Sequence, residues 1–186
     1  MTDLKDIPDE KKWRLAAEFS ARLPDLYDTA FRPVAGEKYD KIEQEIWMEL
    51  SRTAFSIARD LSLPTGTAQE LGETLRIVMV ILFGPGFRTE TLKVADDRSV
   101  ILVKGCPLME HAPVHDGAQN PVFRRCMAFT LTAVPLLNKK YSARFVRTMC
   151  TGDRQCEIKI AEADDLITGT KKKKEPDPAL PGDGPT

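Results

Sequence analysis

The chain predicts an α+β domain in which N-terminal helices pack on an antiparallel sheet of two hairpins, with one buried helix between the hairpins. Three observations carry this. Apolar residues recur with a helical period from Trp13 to Leu82, the spacing that places them on one helix face. Past Gly84-Pro85-Gly86 the pattern shifts to short β-favouring runs. Between two such pairs of runs lies the apolar, proline-started segment Pro121 to Leu137.

Pro8-Asp9-Glu10 opens a first helical segment with Trp13, Ala16, Ala17 and Phe19 at helical spacing, which Leu23-Pro24 is expected to interrupt. A longer helix follows from about Gly36 to Leu61. Its predicted inner stripe is Tyr39, Ile42, Ile46, Trp47, Leu50, Ala54, Ile57 and Leu61, with Lys38, Lys41, Glu45, Glu49 and Arg52 facing outward. Leu63-Pro64-Thr65-Gly66-Thr67 ends that helix and offers a capping hydroxyl to the next. The third helix carries Leu71, Leu75, Val78, Met79 and Leu82 and stops at Gly84.

Thr89 to Val94 and Ser99 to Lys104 read as strands joined by a turn at Ala95-Asp96-Asp97-Arg98. The segment from Gly105 to Asn120 reads as a loop long enough to be functional. Asn120-Pro121 starts a helix that is apolar nearly all round through Val122, Cys126, Phe129, Ala133 and Leu137, and is therefore expected to be buried. A second hairpin runs from Tyr141 to Met149, turns at Gly152-Asp153 and returns from Cys156 to Ala161. Residues 1–35 thus form an N-terminal helical segment and 36–168 a single α+β domain. Residues 169–186, with Lys171 to Lys174 and six prolines and glycines in close succession before Thr186, read as a disordered tail.

Composition narrows the function classes. At 186 residues with 42% hydrophobic and 30% charged side chains, the chain suits one globular core. A net charge of -1 and scattered basic residues leave no field to recruit nucleic acid or an anionic membrane. The N-terminus lacks the basic-then-apolar pattern of a signal peptide. The longest apolar run, Ile77 to Phe83, is seven residues, far below the roughly 20 needed to span a bilayer. The expectation is a cytoplasmic protein whose thiols stay reduced, so that its cysteines serve metal or chemistry rather than disulfides.

Four cysteines, Cys106, Cys126, Cys150 and Cys156, carry the chemistry, in the spacing Cys-x19-Cys-x23-Cys-x5-Cys. Cys150 and Cys156 flank a hairpin turn, Cys106 leaves the end of a strand, and Cys126 sits early in the buried helix. All four can converge at one end of the sheet. Four thiolates suit tetrahedral zinc or an iron–sulfur cluster equally, with Arg147 and Arg154 nearby to offset negative charge. Cys126 also fits the apolar stripe of its helix, as a core cysteine would. If three thiolates bind, Glu110, His111, His115 or Asp116 could sit at the open position that catalysis requires. Cys106 with His111 as base is the corresponding nucleophile reading.

The run Gly105-Cys106-Pro107 with Glu110, Cys126 in a helix, Leu137-Asn138 before Tyr141, then Met149-Cys150-Thr151-Gly152-Asp153 and Cys156-Glu157-Ile158 resembles the aminothiazoline-carboxylate-hydrolase-like proteins. It is also similar to their relatives, the vinyl-reductase-like small-molecule-binding domains. The match spans about residues 36–161 and is strongest over 105–160. It implies helices against an antiparallel sheet and an enclosed apolar pocket. Some members hold zinc through these cysteines and sense aromatic compounds, and others hydrolyse a cyclic thiazoline.

The leading expectation is a small-molecule-binding domain with a four-cysteine zinc or iron–sulfur site. Its pocket for a small apolar or heterocyclic ligand would be lined by Trp47, Phe55, Leu75, Met79 and Phe129. A hydrolase of a small cyclic thiazoline or amide, using Cys106 or an open metal site, is the alternative. A structural or interaction protein with no metal is the third. Homodimerisation through the N-terminal helices is compatible with all of them.

Overall fold

The computed structural model describes residues 3–110 and 120–164. His111, His115, Asp116 and the Lys/Pro/Gly-rich tail lie outside these. The elements are α1 (Asp9–Ala35), α2 (Lys38–Asp60), α3 (Ala68–Phe83), β1 (Arg88–Ala95), β2 (Arg98–Gly105), α4 (Pro121–Leu137), β3 (Tyr141–Arg147) and β4 (Cys156–Glu162). The four strands form one antiparallel sheet in the order β1-β2-β4-β3. The fold is α+β, with α4 between the two hairpins.

Local chemistry sets most boundaries. Thr67 accepts the Glu70 N–H while the Glu70 carboxylate accepts from Thr67, a reciprocal cap that starts α3. Gly84, at φ 86°, ends it. Asn120 accepts the Val122 N–H at 2.9 Å and Pro121 occupies the first turn of α4. The central strands bury alternate residues: Ser99, Ile101 and Val103 on β2, and Cys156, Ile158 and Ile160 on β4. That alternation is the period-2 signal of a sheet covered on one face. Leu71, Leu75 and Val78 of α3 and Val122, Phe129 and Val134 of α4 complete the core against them. Gly72 permits the approach of α3, since a Cβ there would lie 2.8 Å from Thr91 Cγ2 and 2.9 Å from Ser99 Oγ.

Two expectations about the helices are corrected. Leu23-Pro24 does not interrupt the first helix: α1 runs unbroken from Asp9 to Ala35 through both Pro24 and Pro33. Pro24 removes one helical N–H, but the adjoining turn is held from outside. Arg125 donates to the Pro24 carbonyl at 3.2 Å and also binds the Asp25 carboxylate. The buried line of α2 is also different. It consists of Tyr39, Glu43, Trp47, Ser51, Ala54 and Ala58, while Ile42, Ile46, Leu50 and Leu61 are exposed. Small residues at 51, 54 and 58 let α2 lie close against α4, and Glu43 is turned inward by a cation.

That cation is Arg125 on α4, which is 1% exposed. It binds Glu43 of α2 at 2.7 Å and Asp25 of α1. Beside it, Arg32 bridges Asp28 and Asp40, and Arg124 reaches Asp40 at 2.8 Å. Three helices are thereby joined through charge. Breaking a buried pair by removing one partner costs about 3–5 kcal/mol, whereas replacing the whole set with apolar groups is often neutral. Arg125→Met is therefore expected to lower stability by about 3–5 kcal/mol in urea denaturation, and Asp25→Leu/Glu43→Leu/Arg125→Met to recover most of it. A loss below about 1 kcal/mol for the single variant would contradict this role.

Candidate functional site

The cysteines are carried by four different pieces of backbone. Cys156 opens β4 opposite Val103 of β2, and Cys106 follows the end of β2, so the two sit at one end of the sheet. Cys150 lies in a short 3-10 turn, Met149–Thr151, which Gly152 closes at φ 102°. Asp153 stabilises that turn by accepting the Thr148 N–H at 2.8 Å. Here the left-handed φ explains the glycine and the hydrogen bond explains the aspartate. Asn120 ties the start of α4 to the same turn, donating to the Cys150 carbonyl at 3.2 Å. Cys126 is one and a half turns further along α4, 4.0 Å from Thr130 Oγ1.

A backbone N–H points at one of these sulfurs: Met149 donates to Cys156 Sγ at 3.2 Å, while in the turn after β2 the Met109 N–H donates to the Cys106 carbonyl at 3.1 Å. A donor to sulfur favours thiolate. Burial works against it and prevails. It pushes the Cys106 thiol up to about 12, with Cys150 and Cys156 adding repulsion. Burial and the neighbouring Cys156 raise Cys150 to about 11. Cys156 is raised by burial against the pull of the Met149 N–H. Cys126 is held well above its ordinary value, first by burial and then by the charges of Cys106, Cys156 and Cys150.

The four predicted cysteines therefore come close enough for their charges to act on one another. Among the described residues, however, no group of three or more His, Cys, Asp or Glu side chains is already placed to hold a metal ion. Glu110 is exposed and lines a surface hollow beside Phe19 and Arg22 of α1. Its partners in the open-site reading, His111, His115 and Asp116, fall outside the described residues. A nucleophilic cysteine needs a lowered pKa, and that of Cys106 moves the opposite way.

A second feature lies on the other side of the Cys106 turn. A cavity of about 370 Å³ opens between α1, α2 and the end of α3, within the range typical of small-ligand pockets. Its walls include Pro24, Trp47, Leu82, Phe83, Leu108 and Phe129, and Tyr39 and Glu43 are also in its lining. Trp47, Phe83 and Phe129 pack against each other with centroids 5.8–6.5 Å apart. Of the expected lining residues, Trp47 and Phe129 reach the cavity. Leu75 and Met79 are instead fully buried in the core, and Phe55 is exposed. Glu43, Tyr39 and Leu108 were not anticipated. Leu108 could have been found, because it stands two residues after Cys106.

Among the described residues no helix is long and apolar enough to cross a membrane. No known family's sequence model matches the chain, and no curated protein matches it. Solved structures do. A trafficking protein particle complex subunit 3 from Naegleria fowleri, covalently bound to palmitic acid, is 13% identical with a TM-score of 0.48, covering 83% of this chain and 96% of that one. The phenol-responsive sensory domain of the transcription activator PoxR, with phenol, is 12% identical with a TM-score of 0.43, covering 78% of this chain and 75% of that one. At these values neither similarity bears on ligand or activity.

The thiol shifts have a consequence for metal-free protein. A folded pKa above the ordinary 9.0 means that the fold favours the protonated thiol. Its contribution is complete below about pH 9 and is lost as pH rises toward 11–12. Metal-free protein is thus expected to lose stability above pH 9 more steeply than Cys106→Ala/Cys150→Ala, as read by urea midpoints at successive pH values. Identical profiles would refute buried, neutral thiols.

Proposed function

We propose that this chain is a small-molecule-binding domain in which Cys106, Cys126, Cys150 and Cys156 hold zinc or an iron–sulfur cluster beside the ligand cavity. One observation carries the reading: Leu108 lines the cavity and belongs to the tight turn that Cys106 begins, closed by the Met109 N–H on the Cys106 carbonyl at 3.1 Å. Whatever fixes Cys106 therefore fixes a wall of the pocket. The resemblance around Gly105 to Ile158 points the same way, toward aromatic ligands and zinc.

The donor set suits the metal. Four sulfurs, with a backbone N–H donated to that of Cys156, match soft-metal sites, in which such hydrogen bonds offset thiolate charge. A closed four-thiolate site supplies rigidity rather than a reactive position. A metal held there would require the four thiols to lose their protons, so its affinity would rise with pH.

Homodimerisation belongs to the same reading. Leu15, Phe19, Leu26 and Phe31 of α1 and Ile42, Ile46 and Leu50 of α2 are exposed. Tyr27, Ile46 and Leu50 also line the cavity, so a second copy packed on α1 and α2 would cover its mouth.

Protein purified without oxygen is expected to carry stoichiometric zinc, or iron with labile sulfide and a visible absorption band, and to run as a dimer in light scattering. Cys150→Ser/Cys156→Ser should lose the metal and melt lower. Metal-free wild type that is no more stable than this variant would refute the metal site. A monomer at micromolar concentration would refute the dimer.

A further inference from the structure

The cavity wall is mostly apolar, with Ser20 and Thr53 as neutral polar lining, and it holds one ionisable pair that is unusual. Glu43 is 4% exposed and Tyr39 6% exposed, yet both line the cavity. One Glu43 oxygen is taken by Arg125 at 2.7 Å. The Tyr39 hydroxyl reaches the same oxygen only at 3.4 Å, well beyond the usual length of about 2.7–2.8 Å for O–H···O. That long contact is a weak hydrogen bond, which leaves both groups able to bond a ligand atom placed beside them.

Charge around this pair is unbalanced. Four carboxylates, Asp25, Asp28, Asp40 and Glu43, face three guanidinium groups, Arg32, Arg124 and Arg125. Asp25 Oδ2 is buried with no hydrogen-bond partner among the described residues. Asp25 directly follows Pro24 of the cavity wall. A buried carboxylate that keeps an excess of negative charge next to apolar walls selects for a donor and against an anion.

We propose that Glu43 and Tyr39 form the specificity site of the cavity and select an apolar ligand carrying one hydrogen-bond-donating head, an amine or a hydroxyl, over the carboxylate of the same size. This rests on the ligand-binding reading of the cavity given above. The ligand's hydrocarbon lies against Trp47, Phe83 and Phe129, and its head donates to Glu43 and Tyr39. Arg125 acts as a positioning residue, holding Glu43 pointed inward and favouring its charged form against the burial that raises it.

The test uses isothermal titration calorimetry with the full-length chain and three probes of one shape: 1-naphthylmethylamine, 1-methylnaphthalene and 1-naphthoate. The amine is expected to bind about tenfold or more tightly than methylnaphthalene, as one charge-assisted hydrogen bond provides, and naphthoate more weakly than either. Tyr39→Phe and Glu43→Gln should each reduce the amine's preference to below about threefold. If Glu43→Gln fails to fold because Arg125 is left unpaired, Tyr39→Phe alone decides, since it removes only a hydroxyl. Equal binding of all three probes would overturn the polar selection while leaving the cavity reading intact. Binding of none would overturn both.

Discussion

Arg125 is the residue on which the arrangement of the helices depends. A guanidinium removed from water must be compensated by partners, because an isolated buried charge costs far more than a domain's net stability. Its partners lie 82 and 100 residues away, in α2 and α1. Satisfying Arg125 therefore fixes where both N-terminal helices pass α4. It also holds Glu43 toward the interior, where burial pushes its carboxyl up and the Arg125 charge pulls it back. The cavity lies between those same helices. The charge cluster that organises the fold thus also contributes Glu43 to the pocket lining.

Such long-range pairing leaves no trace in local pattern. In the sequence Arg125 is one of two adjacent arginines on an otherwise apolar helix, with nothing to mark it as inward. The position of Glu43 follows from it, and so does the rotation of α2 that exposes Ile42, Ile46 and Leu50. Pro24 was misleading for the same reason, since the helix runs on through it in a turn that Arg125 of α4 grips at the Pro24 carbonyl and Asp25. Elements whose limits are set within a few residues were legible. Thr67 with Glu70, Asn120-Pro121 and Gly84 mark their own helix ends. The alternation on β2 and β4 showed one buried sheet face, and α+β followed.

The turn between Cys150 and Cys156 was legible from its Gly152-Asp153 pair, but the pairing of β2 with β4 that sets Cys156 opposite Val103 joins the two hairpins and leaves no local signal. What spacing alone did not disclose is that the cluster and the cavity share the Cys106 to Leu108 turn. Sequence reasoning placed Trp47 and Phe129 in the pocket from their apolar character. It placed Leu75 and Met79 there too, because apolar residues of core and cavity look alike until packing separates them.

The joined picture is of a cavity with Glu43 of the charge cluster in its lining and Leu108, two residues after Cys106, in its wall. The most direct test is NMR of isotopically labelled protein titrated with 1-naphthylmethylamine. If the ligand enters as described, shifts should concentrate at Tyr39, Glu43, Trp47, Phe83, Leu108 and Phe129, and extend through Leu108 to Cys106. Shifts confined to the outer face of α2 around Glu49 and Arg52, or absent at saturating ligand, would contradict it.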